Sequence, residues 1–244
     1  MRSCHISPLN GGWELVSAQP SKRTKWSNSV ASSDTTISSY LKAGLDIARG
    51  EAEKLGIAER ISFHCADINS QDLPGGEYDV ITFMASLHHI HELEKTLRAC
   101  KRALAPGGII WVNEYIGPNR FAYPKEHTDI VQRIFRMLDQ NLRMNGEHEL
   151  RFPTPEEVIS VDPTEAVHSA EILQTMRSIW PNLRVEGLYG SLLFMIMWGL
   201  DFNAIYDTKA GYEAYGTLVD LETALVDSGA LPHYFVNAYA FNED

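Results

Sequence analysis

The stretch Ala52–Tyr115, AEKLGIAERISFHCADINSQDLPGGEYDVITFMASLHHIHELEKTLRACKRALAPGGIIWVNEY, carries the clearest alternation of element types in the chain. A helix ends at Gly56, the β-rich run ISFHCAD follows, and the polar turn INSQDLPGGE leads into YDVITFM. ELEKTLRACKRAL then places Leu93, Leu97, Cys100 and Leu104 on one helical side. APGG ends that helix, and IIWVNEY is the next apolar strand. Strands of near-continuous apolar character alternating with helices indicate a parallel sheet covered on both faces. Right-handed crossovers then order the strands.

Toward the N-terminus, Leu41, Leu45, Ala48, Ala52 and Leu55 recur at steps of four and three, which predicts an amphipathic helix over 38–56 with Gly56 as its C-cap. Before it lies CHISPLNGGWELVSA, Cys4–Ala18. An apolar run breaks at Pro8, passes Asn10-Gly11-Gly12, and resumes as an expected helix. Strand, glycine loop and helix is the order in which α/β proteins cradle a nucleotide-like cofactor. The short run NSVASSD is the expected second strand, ending at Asp34.

After Pro118 the pattern changes. His127 to Met144 is helical by period, a proline-punctuated loop follows, and LRVEGLYG is a strand. Helical stretches are expected over 191–206 and 212–228, and HYFVNAYAFN closes the chain as a strand. No flexible linker marks a boundary, so 1–244 is expected to be one domain. Residues 1–118 form its cofactor-binding half, 119–232 a helical cap with the sixth strand, and 233–244 the last strand.

Composition narrows the function classes. The net charge is −11, from 32 acidic and 21 basic residues, against the concentration of Lys and Arg that binding a phosphate backbone requires. A small-molecule or glycan substrate is expected, with no nucleic acid and no membrane; a homodimer is the oligomeric state to test. Cys4, Cys65 and Cys100 are odd in number and widely spaced, which indicates neither a disulfide framework nor a zinc site. SLLFMIMWGL, Ser191–Leu200, is too short to span a bilayer. With no basic segment leading an apolar N-terminal core, the chain reads as cytoplasmic.

Ligands of open α/β sheets bind at the carboxyl ends of the strands. Those ends are Asn10-Gly11-Gly12, Asp34, Asp67, Met84-Ala85 with the following SLHH, and Glu114-Tyr115. Two successive strands ending in an acid suit a ribose and a base, because a carboxylate accepts hydroxyl and exocyclic amine protons. Asp34 serves equally as a helix N-cap, and Asp46 in GLDIA is a second-ranked ribose acid. His88, His89 and His91, as H-H-x-H, do not make a good ligand face, and no metal is expected. A histidine there can act as a general base or pack against the sheet edge.

The whole Ala52–Tyr115 block resembles the Rossmann-like, class I S-adenosylmethionine-dependent methyltransferases. In that family ADI follows strand three, YDVI…LHH is strand four with its loop, and L-x-PGG precedes strand five. NEYIGPNRF, PTPEEVISVDPTEAVHSAEIL and LETALVDSGALPHYF are similar to a bacterial branch of the family, one associated with surface-sugar synthesis.

The resemblance implies an α/β, Rossmann-like, seven-stranded, mostly parallel sheet with helices on both faces and a C-terminal helical cap insertion. It implies S-adenosylmethionine as cofactor, held by Asn10, Gly11, Gly12, Asp34, Asp67, Ile68, Met84 and Ala85. The implied reaction is methyl transfer to a small-molecule or glycan oxygen or nitrogen, with His88, His89 and Glu114 as acid–base candidates. The sequence departs from the family at SPLNGG, a degenerate glycine loop in which Pro8 removes an N–H donor and Leu9 narrows the backbone approach. The alternative is therefore a methyltransferase-fold binding protein that has lost its cofactor site.

Overall fold

The structure is a computed structural model that describes residues 15–19, 34–39, 42–65 and 78–243. Its strands are β1 (Leu15–Gln19), β2 (Asp34–Ser39), β3 (Ile61–Cys65), β4 (Tyr78–Met84), β5 (Leu104–Tyr115), β6 (Arg184–Gly187) and β7 (Phe235–Phe241). The helices of the first half are α1 (Lys42–Lys54) and α2 (Leu93–Ala103). Those of the second are α3 (Lys125–Met137), α4 (Pro155–Val161), α5 (Ile172–Ile179), α6 (Leu193–Ile196), α7 (Phe202–Asp207) and α8 (Lys209–Asp227). Among the described residues, no helix is long and apolar enough to cross a membrane.

The chain divides into two compact units. The first holds residues 1–114, 171–185 and 238–244; the second holds 115–170 and 186–237. The strand order is β3-β2-β1-β4-β5-β7-β6. In the first unit β2 runs parallel to β3 and β4 parallel to β5. β1 runs antiparallel to both of its neighbours. The sheet is therefore α/β and Rossmann-like in order but mixed in direction, which corrects the expectation of a mostly parallel one.

Three local expectations change with it. WELVSA was expected as a helix, but Leu15–Gln19 is the strand β1, whose ladder partners span Asp34–Ser38 on β2 and Val80–Phe83 on β4. The cost of leaving five residues of backbone unpaired in the middle of a sheet outweighs their helical preference. β2 begins at Asp34 rather than ending there, and takes Ser38 and Ser39 from the start of the expected helix. Asp46 lies exposed within α1 and is no strand end.

α1 and α2 form where periodicity puts them, but β5 takes Leu104 and the APGG turn from the expected helix end. The helix expected over 127–144 stops at Met137, and that expected over 191–206 breaks into α6 and α7. Leu45, Ala48 and Ala52 are buried along α1. Its end is a Gly56 turn with φ +69°, closed by Ile57 N–H donating to Ala52 O at 2.9 Å. α2 buries Leu93, Thr96, Leu97 and Cys100, and its charged face carries a Glu94–Arg98 pair. Fully burying a side chain such as Leu97 contributes about 1.5–3 kcal/mol.

β4 buries Tyr78, Ile81 and Phe83. On β5 the buried face is Gly108, Ile110, Val112 and Glu114, alternate residues as the strand period requires. Gly107 has φ +76°, and a Cβ on Gly108 would stand 2.9 Å from the Tyr78 and Ala105 carbonyl oxygens. The PGG turn therefore needs both glycines.

The second unit is built mainly from helices around Val131, Phe135, Leu192 and Ile196. Thr154 opens α4 with a capping box, accepting from Glu157 N–H while the Glu157 carboxylate accepts from Thr154 N–H. Two of its segments are joined where Ser169 Oγ donates to Gly117 O at 2.8 Å and Arg120 N–H donates to Ala166 O at 2.8 Å.

Candidate functional site

The parallel strands of the first unit bring their carboxyl ends to one edge. Ser39 stands opposite Cys65, and Met84 opposite Asn113. Because β1 is reversed, its amino end, Leu15, pairs with Ser38 and Phe83 near that edge, and Gln19 pairs with Asp34 at the other. Asp34 therefore begins β2 at the amino edge instead of ending it at the carboxyl edge, where Ser39 stands. Asn10, Gly11, Gly12, Asp67 and Ile68 lie outside the described residues.

Met84 ends β4 with 41% of its surface exposed, an apolar thioether at the rim of a strand that buries Tyr78, Ile81 and Phe83. Ala85 follows with φ +49°, a left-handed conformation that costs a non-glycine residue about 1–2 kcal/mol. It is held there as its N–H donates to Asn113 O at 2.7 Å, which extends the β4–β5 ladder by one bond. Ser86 is buried, and Leu87–His89 form a buried 3-10 turn.

Glu114 anchors this turn from β5. Its carboxylate is 0% exposed, because the period that buries Ile110 and Val112 also turns residue 114 inward. Oε2 accepts the backbone N–H of Ser86 at 2.8 Å and of Leu87 at 2.6 Å. Oε1 pairs with His88 Nδ1. A buried carboxylate without partners would cost several kcal/mol, so these contacts are the condition for its being there.

His88 and His89 are both buried, with ring centroids 4.3 Å apart and planes at 40°, whereas His91 is exposed. The structure thus brings three expected acid–base residues together, His88, His89 and Glu114, next to Met84 and Ala85. It buries Glu114 completely, a placement suited to orienting a neighbour rather than meeting a substrate.

Sequence reasoning missed the two amides of Ser86 and Leu87. Backbone donors carry no residue-type signal. The available clue was a glutamate on the apolar face of a strand, since such a carboxylate must find donors.

Comparison with known proteins gives the site its setting. Residues 25–112 match the pattern of the methyltransferase domain family. The ubiquinone/menaquinone biosynthesis C-methyltransferase UbiE of Cronobacter sakazakii is 26% identical over 162 residues, covering 61% of this chain and 62% of the relative. The 27-O-demethylrifamycin SV methyltransferase of Amycolatopsis mediterranei is 26% identical over 120 residues, 47% of this chain and 43% of that enzyme. The chain thus spans about three-fifths of the UbiE relatives it matches, 62% in the Cronobacter case.

Among solved structures, a sarcosine dimethylglycine methyltransferase assigned in Galdieria sulphuraria is similar with a TM-score of 0.47 and 13% identity, over 85% of this chain and 68% of that one. These sequence matches make the chain similar, over residues 25–112, to the class I S-adenosylmethionine-dependent methyltransferases.

Proposed function

We propose that the chain binds S-adenosylmethionine at the carboxyl edge of β2, β3, β4 and β5 and transfers its methyl group to a small-molecule or glycan oxygen or nitrogen. The match of residues 25–112 to the methyltransferase domain carries this reading. The described part of the edge fits such a ligand: four strand ends point the same way, and Met84 offers exposed apolar surface. Asp67 with Ile68, and the Asn10-Gly11-Gly12 loop, remain the proposed partners for the base and the methionine portion. When bound, the cofactor supplies an already electrophilic methyl group, so alignment provides most of the rate. His88 or His89 would take a proton from a hydroxyl acceptor. The acidic charge of the chain supports a metabolite or glycan rather than nucleic acid.

The second reading, a family member that has lost its cofactor site, is favoured by the reversal of β1. A strand running toward the ligand edge hands its chain to a phosphate- or carboxylate-binding loop there; a reversed one enters from that edge instead. Titration calorimetry of the whole chain with S-adenosylmethionine and S-adenosylhomocysteine separates the two. Micromolar binding, weakened at least tenfold in Asp67→Ala and Met84→Asp, supports transfer. Absence of binding at millimolar ligand overturns it in favour of the second reading.

A further inference from the structure

Three contacts of the Glu114 carboxylate go to one short segment: the amides of Ser86 and Leu87 and the ring of His88. Two successive main-chain N–H groups converging on one oxygen form a small anion-binding nest. Here the chain supplies the anion itself, from a strand 26–28 residues further on. The same segment starts at Ala85, held in a left-handed conformation that only a well-tied backbone maintains. An ionised carboxylate has no proton to donate, so the atom facing it on His88, Nδ1, must carry one.

We propose that Glu114 is a positioning residue: as a carboxylate it fixes the Ala85–His88 segment at the end of β4 and keeps the proton of His88 on Nδ1. In the neutral ring the lone pair then lies on Nε2, and titration of His88 takes place at that nitrogen alone. The cofactor-edge setting rests on the methyl-transfer reading; the proton placement does not.

The test needs neither cofactor nor acceptor. Long-range 1H–15N correlation spectra of the uniformly 15N-labelled whole chain are recorded across a pH titration, with the His88 ring assigned by its loss in His88→Gln. The expected result is a protonated-type Nδ1 at every pH, with Nε2 the only nitrogen whose shift moves. A lone-pair-type Nδ1 in the neutral ring overturns the proposal, and this outcome requires no variant to fold.

In Glu114→Gln the two backbone N–H groups claim the amide oxygen, so the NH2 faces Nδ1 and the neutral ring should move to the Nε2–H form; an unchanged Nδ1–H form would also overturn the proposal. Calorimetry with S-adenosylmethionine runs in parallel. If the proton placement holds and no cofactor binds, methyl transfer fails and the positioning role of Glu114 stands. If cofactor binds and Nδ1 is unprotonated, the reverse is true.

Discussion

Leu87 and Glu114 lie 27 residues apart in sequence, yet the main-chain N–H of Leu87 donates to the Glu114 carboxylate at 2.6 Å. The bond ties the turn after β4 to the last buried position of β5. Removing the carboxylate leaves two buried amides and a buried imidazole without their acceptor. Glu114→Ala should lower stability by about 3–5 kcal/mol, the range for breaking a buried charged pair. Urea denaturation followed by circular dichroism measures this as a lower midpoint at unchanged slope; a loss under about 1 kcal/mol would show that the contacts are not held in solution.

The backbone at Ala85 allows a test by sign. Glycine at φ +49° relieves left-handed strain of about 1–2 kcal/mol, while its freer unfolded chain takes back about 0.4–1. Ala85→Gly should therefore be neutral to slightly stabilising, whereas Ala85→Val should lower the melting temperature. Equal losses in both variants would argue against the left-handed conformation.

In the second unit His127 is buried between two partners. Nε2 lies 2.8 Å from Ser191 O and so must donate; Nδ1 then accepts from the Tyr234 hydroxyl at 2.6 Å. Burial holds the His127 pKa below its usual 6.5. The folded state then binds fewer protons than the unfolded one in the window between the depressed value and 6.5. The stability this group contributes is complete above 6.5 and is lost as pH falls through that window. Thermal melts from pH 7.5 to 5 should show a steeper decline for the native chain than for His127→Gln; parallel curves would remove His127 as the cause.

The two described cysteines should separate by reactivity. Cys100 is 0% exposed on α2, and burial pushes its thiol up to about 12, so the reactive thiolate is scarce near neutral pH. Cys65 is exposed at the end of β3. Brief treatment with a maleimide at pH 7.5, read by peptide mass spectrometry, should label Cys65 in the native chain and Cys100 only after unfolding. Rapid native labelling of Cys100 would mean that α2 opens locally.

The helices and strands whose signal is local were legible. α1 and α2 carry their buried positions at helical spacing, Gly56 stops the first, and the PGG turn leads into the apolar alternation of β5. The placing of Met84 and Ala85 at a strand end followed from the same pattern. Asp34 was misplaced because a run such as NSVASSDTTISS holds several strands of equal local quality; the ladders with β1 and β3 select the one from Asp34 to Ser39.

By itself the sequence determined the α/β alternation, the identity of β3, β4 and β5, and the candidate histidines after β4. Each rests on neighbours within one or two turns of chain, where side-chain period and stop signals suffice. Only the tertiary structure decided the direction of β1, the phase of β2, and the burial of Glu114 against Ser86, Leu87 and His88. A strand's alternation looks the same in either direction, and a glutamate on a strand becomes an anchor only when distant amides arrive to donate to it.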